Sequence, residues 1–421
     1  MGGRVLVLTE SMMPFCKDWG GCQRVYFYSQ KLIAEGYDVH VICRNSSDNP
    51  AGTVDFKGVK VTTPDGPKQT AKGRGLKAKL IKTLKNNALV LTTMQKIYRF
   101  KYSEPNLFRG KESKSWAQRN KQLIKDYIVR ENIDCVVISG PPFGLFYLAD
   151  EIKELGVKLV LDYRDPWNLW YEKYSLSEKY EKRAVDLSDF VIASTDSLAR
   201  ALKEKYGKDE VYPVLNGYDM SSWENQESRA EKASSDKLTI SYVGYVLVNT
   251  PPAFRDPRCF IEAACEFLNS KDDVQIKFIG VGDELSTIKK EYREKIEFRN
   301  RIPVEDALRE VNGSDVALVI HTAKDPSGNY IVCGKLYDYL KSGKFVLSIG
   351  DKAKCNNDLI DRYGAGMHCG NNKKAIIESL EHIYEKWKDG SISVNVPEDI
   401  IKYSRDYQNS EFVRLLKNIN V

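Results

Sequence analysis

The 421-residue sequence lacks the cysteine and histidine patterns on which zinc sites and disulfide frameworks are built. Its nine cysteines are odd in number and scattered, no C-x-x-C pair occurs, and its four histidines stand at no ligand spacing. Neither a structural metal site nor a disulfide framework is therefore expected. Scattered free thiols favour a reducing, cytoplasmic compartment.

Long apolar runs are also missing from the sequence. No stretch approaches the roughly 20 apolar residues that a membrane span needs. The apolar run in the opening MGGRVLVLTE is too short for a secretory signal and is typical of a first strand. A hydrophobic content of 42% and a charged content of 29% are those of a globular protein. The length suffices for two α/β domains.

The first βαβ pattern lacks the dinucleotide fingerprint. A continuous apolar strand at Arg4–Thr9 is followed by Gly20-Gly21, a helix, and a second strand at Val39–Cys43. The spacing G-x-G-x-x-G is absent, and no Asp or Glu follows the second strand to hold a ribose. The pattern argues against NAD binding and leaves the two glycines as a candidate phosphate or sugar site.

Acidic residues are absent between Lys68 and Lys101, where ten Lys and Arg residues are interleaved with leucines. A basic amphipathic segment of this kind suits an anionic membrane surface or an anionic acceptor. A solvated helical excursion from the first domain is the other interpretation. Nucleic-acid binding is not expected, because no recognition motif accompanies the charge.

The chain as a whole reads as two successive βαβ arrays. A polar stretch separates them, and each array has glycine after its first strand. We predict an N-terminal domain over residues 1–220, a linker over 221–236, a C-terminal domain over 237–400 and a final helix within 401–421.

Two stretches carry the candidate site residues. In the first, Gly334 and Lys335 precede a predicted helix, and Asp338 follows within one turn. A lysine at a helix start suits a phosphate, and a carboxylate one turn on suits sugar hydroxyls. An ordinary α/β turn with a solvated lysine explains the same residues.

The second stretch, Asp162–Trp167, stands at the end of a strand, where ligands bind in open α/β sheets. Its charged and aromatic residues predict a functional cluster. An Arg–Asp pair that holds the loop in place is the alternative.

Several motifs together resemble the GT-B glycosyltransferases, in particular the retaining family four of the bacterial surface-polysaccharide type. The resemblance spans nearly the whole chain. It rests on Gly20-Gly21, on Ser241–Gly244, on Phe278–Gly282 and, most specifically, on Gly334–Leu340.

This resemblance implies an α/β fold with two Rossmann-like domains, whose parallel sheets face each other across a cleft, and a C-terminal helix that crosses back to the first domain. It implies transfer of a sugar from a UDP- or GDP-linked donor to a hydroxyl of a glycan or lipid-linked acceptor, with retention, in cell-surface polysaccharide or glycoconjugate synthesis. The basic segment would hold the enzyme peripherally at the inner face of the membrane.

The resemblance also implies site residues. Catalytic roles fall to Lys335 and Arg255 at the diphosphate and to Arg164 and Asp165 at the acceptor side. No metal or cofactor is implied, since the cationic side chains would neutralise the diphosphate. Because Tyr330 stands where the family has an acid, sugar contacts are assigned to nearby backbone N–H groups. The predicted donor-binding residues are Gly20, Gly21, Gly244, Gly280, Ile302, Asn329, Tyr330, Ile331, Val332, Gly334 and, for the ribose, Asp338.

Two other functions share these features. One is a nucleotide-sugar epimerase of the same fold, which needs no acceptor surface. The other is a non-catalytic protein that binds sugar nucleotides.

Overall fold

The computed structural model describes residues 2–16, 19–66, 96–97, 101, 109–170, 175–227, 236–246, 255–282 and 288–421. The chain divides into two compact units, residues 1–215 with 409–421, and residues 216–408. The basic segment Lys68–Lys101 lies almost entirely outside the described residues. Within the described ranges, no helix is both long and apolar enough to cross a membrane.

The first unit alternates strands and helices. Its elements are β1 (Arg4–Thr9), α1 (Trp19–Ala34), β2 (Asp38–Cys43), β3 (Gly52–Phe56), β4 (Val59–Thr63), α2 (Arg109–Arg130), β5 (Cys135–Gly140), a 3₁₀ helix (Phe143–Leu148), α3 (Ala149–Lys153), β6 (Lys158–Tyr163), α4 (Glu178–Leu187), β7 (Phe190–Ala193), α5 (Asp196–Tyr206) and β8 (Val211–Pro213).

The strands of this unit form one sheet in the order β3-β4-β2-β1-β5-β6-β7-β8. Apart from the β3–β4 pair, all the pairings are parallel. Strands β1 and β5 are buried along almost their whole length, because helices cover both faces of such a sheet and leave no polar side.

The β3–β4 pair is antiparallel and was not predicted. Strand β3 is almost wholly exposed, so its residues show no buried periodicity in the sequence. The pair lies at the sheet edge, where an exposed strand is tolerated.

The second unit has the same alternation. Its elements are α6 (Met220–Glu227), β9 (Leu238–Val243), α7 (Arg258–Phe267), β10 (Val274–Ile279), α8 (Lys290–Arg293), β11 (Glu297–Arg299), α9 (Val304–Asn312), β12 (Val316–Ile320), a 3₁₀ helix (Pro326–Asn329), α10 (Lys335–Ser342), β13 (Phe345–Ile349), α11 (Lys354–Tyr363), β14 (Gly366–Cys369) and α12 (Lys373–Lys388).

The six strands of the second unit pair in parallel, in the order β11-β10-β9-β12-β13-β14. One cluster of its buried apolar side chains lies on a single face of the sheet and includes Ile240, Phe278 and Leu318. Strands β9 and β12 are neighbours at the centre of this order. From β9 the chain adds strands toward one edge, and from β12 it adds strands toward the other, so the strand order reverses between them. Open α/β sheets bind ligands at such a topological switch point.

The predicted linker at 221–236 is partly wrong. Residues Met220–Glu227 form helix α6, and its Trp223 is only 3% exposed. The polar composition of the stretch indicated a linker. The buried Trp223 side chain nevertheless packs the short helix against the rest of the second unit. The last helix, α13 (Arg405–Asn418), carries residues of both units, and Phe412 and Leu416 are fully buried in the core of the first.

Candidate functional site

Two glycine turns meet at the carboxyl end of the second sheet. Gly244 follows β9 with φ 142°, and Gly280 follows β10 with φ 99°. The N–H of Gly244 donates to the carbonyl of Ile279 at 2.8 Å. A Cβ added to Gly280 would lie 2.9 Å from the Gly244 carbonyl oxygen. Both positions therefore require glycine, on conformational as well as steric grounds.

Lys335 points into this corner. Its Nζ lies 3.6 Å from the centroid of the Tyr242 ring, and a Cβ on Gly244 would approach it to 2.7 Å. The Nζ is buried and has no hydrogen-bond partner among the described residues. A buried cationic donor without an acceptor is costly. The corner is thus built to receive an anion.

Arg255 adds a second positive charge. The residue is half-buried, and its charge acts on both Lys335 and Cys333. Burial, and then the charge of Arg255, lower the pKa of Lys335 to about 7. The two positive charges repel each other when the site is empty. A diphosphate between them would offset this repulsion and stabilise both charged side chains.

The helix start contributes further. Helix α10 begins at Lys335, with Gly334 as its N-cap, and no side chain caps it. The amides of Leu336 and Tyr337 already donate to the carbonyls of Cys333 and Gly334, at 2.8 and 3.3 Å. The helix start therefore contributes the positive end of its dipole to this corner, beside the Lys335 ammonium.

Asp338 lies one turn along α10. Its Oδ1 accepts a hydrogen bond from Trp223 Nε1 at 3.0 Å. Burial raises the pKa of Asp338 to about 6, although Trp223 and Arg405 act in the opposite direction. A carboxylate held in this way is a hydrogen-bond acceptor for hydroxyl groups.

A thiol stands beside the cations. Cys333 Sγ is 4.0 Å from His321 Nδ1 and 3.7 Å from Asn356 Nδ2. Burial opposes ionisation, but the His321 ring, with Arg255 and Lys335, lowers the pKa of the Cys333 thiol to about 7. This residue was not predicted, and nothing in the sequence pattern distinguishes it from the other cysteines.

The loop before α10 corrects one prediction. The N–H groups of Tyr330 and Ile331 both donate to the carbonyl of Ser327, at 2.9 and 3.0 Å, and so close the 3₁₀ turn at Pro326–Asn329. These two amides already have acceptors and cannot be the sugar-binding donors that were assigned there. Asn329 is exposed and Val332 is half-buried.

Ile302 is half-buried in the segment between β11 and α9. Its assignment to the donor site stays a prediction.

The first unit places its predicted residues differently. Gly20 and Gly21 lie in the first turn of α1 rather than in a loop. Arg164 donates from Nε to the Gly140 carbonyl at 3.3 Å, and from its other nitrogens to the carbonyls of Gly21 and Pro141. These bonds support the loop-holding interpretation of Arg164, and its catalytic role stays a prediction, as does that of Asp165.

A buried ion pair near Arg164 was also missed. Asp162 is fully buried, its Oδ1 accepts from Arg24 Nε at 2.8 Å, and its Oδ2 accepts from the Ser139 hydroxyl at 2.8 Å. Arg24 also donates to the Val214 carbonyl at 2.7 Å. Asp162 was predicted as part of a functional cluster, but these bonds give it a structural role at the end of β6.

No group of three or more His, Cys, Asp or Glu residues is placed to hold a metal ion within the described ranges. Among the described residues, Lys335 and Arg255 are positive charges that act on this corner.

A substitution at Gly244 tests the geometry of this corner. In Gly244→Ala, the added Cβ would displace the Lys335 ammonium, so we expect pyrophosphate to bind several-fold more weakly, as measured by calorimetry. Gly52→Ala is the matched control, because Gly52 has nearly the same φ, 143° against 142°, but a Cβ there meets nothing within 4 Å. Both variants therefore place alanine at a φ that essentially only glycine adopts. Equal weakening in the two would contradict the contact.

Solved structures share this fold over the full chain. One of OtsA without ligand has a TM-score of 0.64 at 10% identity and covers 99% of both chains. The catalytic domain of starch synthase IV from Arabidopsis thaliana, bound to ADP and acarbose, has a TM-score of 0.61 at 10% identity, again over 99% of both. A putative UDP-N-acetylglucosamine 2-epimerase from Listeria monocytogenes has a TM-score of 0.56 at 12% identity, over 99% of this chain and 96% of that one. The fold is therefore GT-B, two Rossmann-like units, which confirms the predicted fold class.

A family model matches part of the sequence. Residues 20–222, just under half of the chain, match the model of Glycosyltransferase Family 4. No curated protein matches the chain. This match confirms the predicted resemblance to family 4 over residues 20–222, and together with the GT-B fold it confirms the predicted enzyme class, a glycosyltransferase. It transfers a sugar from a nucleotide sugar.

Proposed function

We propose that the enzyme transfers a sugar from a UDP- or GDP-linked donor to a hydroxyl of a glycan or lipid-linked acceptor, with retention, in the synthesis of a cell-surface polysaccharide or glycoconjugate. The observation that carries the donor half of this proposal is Lys335. Its buried Nζ has no acceptor among the described residues and lies against the Gly244 turn, and Lys335 is the first residue of a helix.

In this proposal the diphosphate binds at the Lys335 corner and the ribose one turn away at Asp338. Arg255 and Lys335 neutralise the negative charge that grows on the leaving diphosphate. Donors that strengthen as charge develops lower the barrier, because they bind the transition state better than the ground state. No metal takes part, so a chelator is expected to leave turnover unchanged.

Retention follows from attack on the face that the diphosphate leaves. The bond between the anomeric carbon and the diphosphate oxygen breaks, and the acceptor oxygen bonds to the anomeric carbon on the same face. The acceptor proton passes to the departing phosphate, so no protein base is required. The anomeric configuration of the product, read by proton NMR, tests this step, and inversion would contradict it.

One observation from the sequence supports the acceptor half of the proposal. The ten basic residues between Lys68 and Lys101 have no acidic residue among them. Such a segment suits an acceptor with anionic groups at a membrane surface. Binding to an anionic membrane surface is tested by sedimentation of the enzyme with vesicles that contain anionic lipid, compared with neutral vesicles.

The donor can be identified by thermal stabilisation. A ligand that binds only the folded protein increases the free energy of unfolding, by about 2.7 kcal/mol when its concentration is a hundred times its Kd, and so raises Tm. We expect a UDP- or GDP-linked sugar to raise Tm and the sugar-free nucleoside monophosphate to raise it much less. If no member of a nucleotide-sugar panel shifts Tm, the proposed donor site is wrong.

An epimerase is the second candidate, because a putative 2-epimerase shares the fold. Incubation of the donor alone separates the two. An epimerase converts the donor without an acceptor, whereas a transferase needs one to turn over at its full rate.

A further inference from the structure

Helix α6 brings an aromatic side chain to the proposed ribose site. Trp223 is 3% exposed, and its indole N–H donates to Oδ1 of Asp338 at 3.0 Å. The two residues are more than a hundred positions apart in sequence and belong to the same unit. Because the indole nitrogen can only donate, it engages one oxygen of the carboxylate in a fixed direction.

The helix that carries Trp223 is itself anchored. Asp219 directly precedes α6, and its two carboxylate oxygens accept the hydroxyls of Ser221 and Ser222, each at 2.9 Å. Arg405 Nη1 lies 4.0 Å from Asp219, and the Arg405 amide donates to the Tyr218 carbonyl at 2.8 Å. The start of the helix is thus tied to the segment where α13 begins.

The backbone at this crossing leaves little freedom. Gly217 has φ 63°, and a Cβ there would lie 2.7 Å from the Tyr403 carbonyl oxygen. The Tyr218 amide donates to that same carbonyl at 2.9 Å. Trp223 is therefore presented to Asp338 from a rigid base, rather than from the polar linker that the sequence indicated.

The charged groups that face Asp338 act in opposite senses. Burial and Asp219 disfavour its ionised form, whereas the Trp223 hydrogen bond and Arg405 favour it. A hydrogen bond to a charged group is stronger than a neutral one. Removal of the indole N–H would leave the carboxylate with a weaker tie and a greater tendency to be protonated.

We propose that Trp223 is a positioning residue for the donor: it fixes Oδ1 of Asp338 so that the remaining acceptor capacity of the carboxylate is presented to the ribose hydroxyls. This inference rests on the proposed donor site. It assigns a specificity role to a helix outside the sheet, because a nucleotide without ribose hydroxyls gains nothing from the arrangement.

Trp223→Phe tests the proposal, because phenylalanine keeps an aromatic ring but has no N–H. The affinities of UDP and GDP, of their 2′,3′-dideoxy forms, and of pyrophosphate are measured by calorimetry at pH 7. We expect the nucleotide that wild type binds to bind about tenfold more weakly to Trp223→Phe, the size expected for one hydrogen bond to a carboxylate. Pyrophosphate and the dideoxy nucleotide are expected to bind the two proteins equally, since neither has ribose hydroxyls to present. The effects of Trp223→Phe and of removing the ribose hydroxyls from the nucleotide would then be non-additive, as in a double-mutant cycle for groups that act together.

Trp116→Phe is the matched control. Trp116 is also buried and also donates its indole N–H to an aspartate, Asp65, but both lie in the first unit. This variant is expected to leave all five affinities unchanged. If the folded yield of Trp223→Phe is too low, Trp223→His, which keeps a ring N–H donor, is measured in its place and is expected to retain the preference for ribose over dideoxyribose.

The outcomes separate this inference from the proposed function. If wild type binds neither nucleotide nor pyrophosphate, the donor site itself is wrong and the inference fails with it. If wild type binds a nucleotide and Trp223→Phe binds it equally well, the donor site stands and the inference is overturned. An equal loss of affinity for pyrophosphate in Trp223→Phe would also overturn it, because the tryptophan would then support the unit as a whole.

Discussion

Lys335→Ala is expected to lower kcat by about 10²- to 10³-fold, the cost of removing one preorganised donor from a site where negative charge develops. The buried Nζ has no other acceptor among the described residues, so its contribution is realised only when an anion is present. The measurement is steady-state transfer with the donor identified by thermal stabilisation. Lys341→Ala, in the last turn of the same helix, is the matched control and should leave kcat within about twofold.

A second substitution of Lys335, by methionine, should separate activity from stability. A buried ammonium without a partner destabilises the folded state, so Lys335→Met is expected to raise Tm of the ligand-free protein. The pH dependence of stability provides a check that the Lys335 charge destabilises the folded state. Because the folded pKa lies below the ordinary lysine value, the unfolded chain binds the extra proton above about pH 7, and wild-type stability rises with pH from there. The gain from Lys335→Met should therefore be largest below about pH 7 and fade toward the ordinary lysine pKa. A fall in both Tm and kcat would mean that Lys335 is a structural residue.

Much of the scaffold of each unit could be predicted from sequence. Strands Arg4–Thr9, Val274–Ile279 and Val316–Ile320 have the predicted bounds, because buried parallel strands are nearly continuous apolar runs. Helix α10 differs from the predicted Leu336–Lys341 by one residue at each end, since Gly343 in the left-handed conformation stops it. Local patterns therefore located the lysine and the aspartate of the site correctly along the chain.

What surrounds these residues could not be predicted in the same way. Tyr242 under the lysine, and Trp223 beside Asp338, are tertiary contacts between residues far apart in sequence. Trp223 was misread, because a single indole in a polar stretch does not change its average composition. Arg164 is a different case: its charge at a strand end indicated catalysis, its guanidinium donates to backbone carbonyls, and its catalytic role stays a prediction. Charge at a strand end marks a candidate, and only the hydrogen-bond partners show whether the charge is available.

Donor affinity is expected to be greatest in a narrow range, between about pH 6 and about pH 7. The diphosphate needs Lys335 as the ammonium, whose pKa is about 7 in the empty site. The ribose needs Asp338 as the carboxylate, whose pKa is about 6. Above the range, binding must take up a proton at Lys335, and below it binding must release one from Asp338. Each limb should therefore approach a tenfold change in Kd per pH unit, until the pKa of the bound state is reached.

The two limbs can be assigned by substitution. A nucleotide sugar is the ligand to use, because a free nucleoside diphosphate has a terminal phosphate that itself titrates near pH 6. In Lys335→Arg, whose guanidinium stays charged, the alkaline limb should disappear while the acid limb remains. In Asp338→Asn, the acid limb should disappear and the alkaline limb should keep its midpoint. Calorimetry in buffers of different ionisation enthalpy gives the proton count directly: uptake above about pH 7 and release below about pH 6. A pH-independent Kd across this range would mean that neither group contacts the donor, and the diphosphate and ribose would then have to bind elsewhere on the chain.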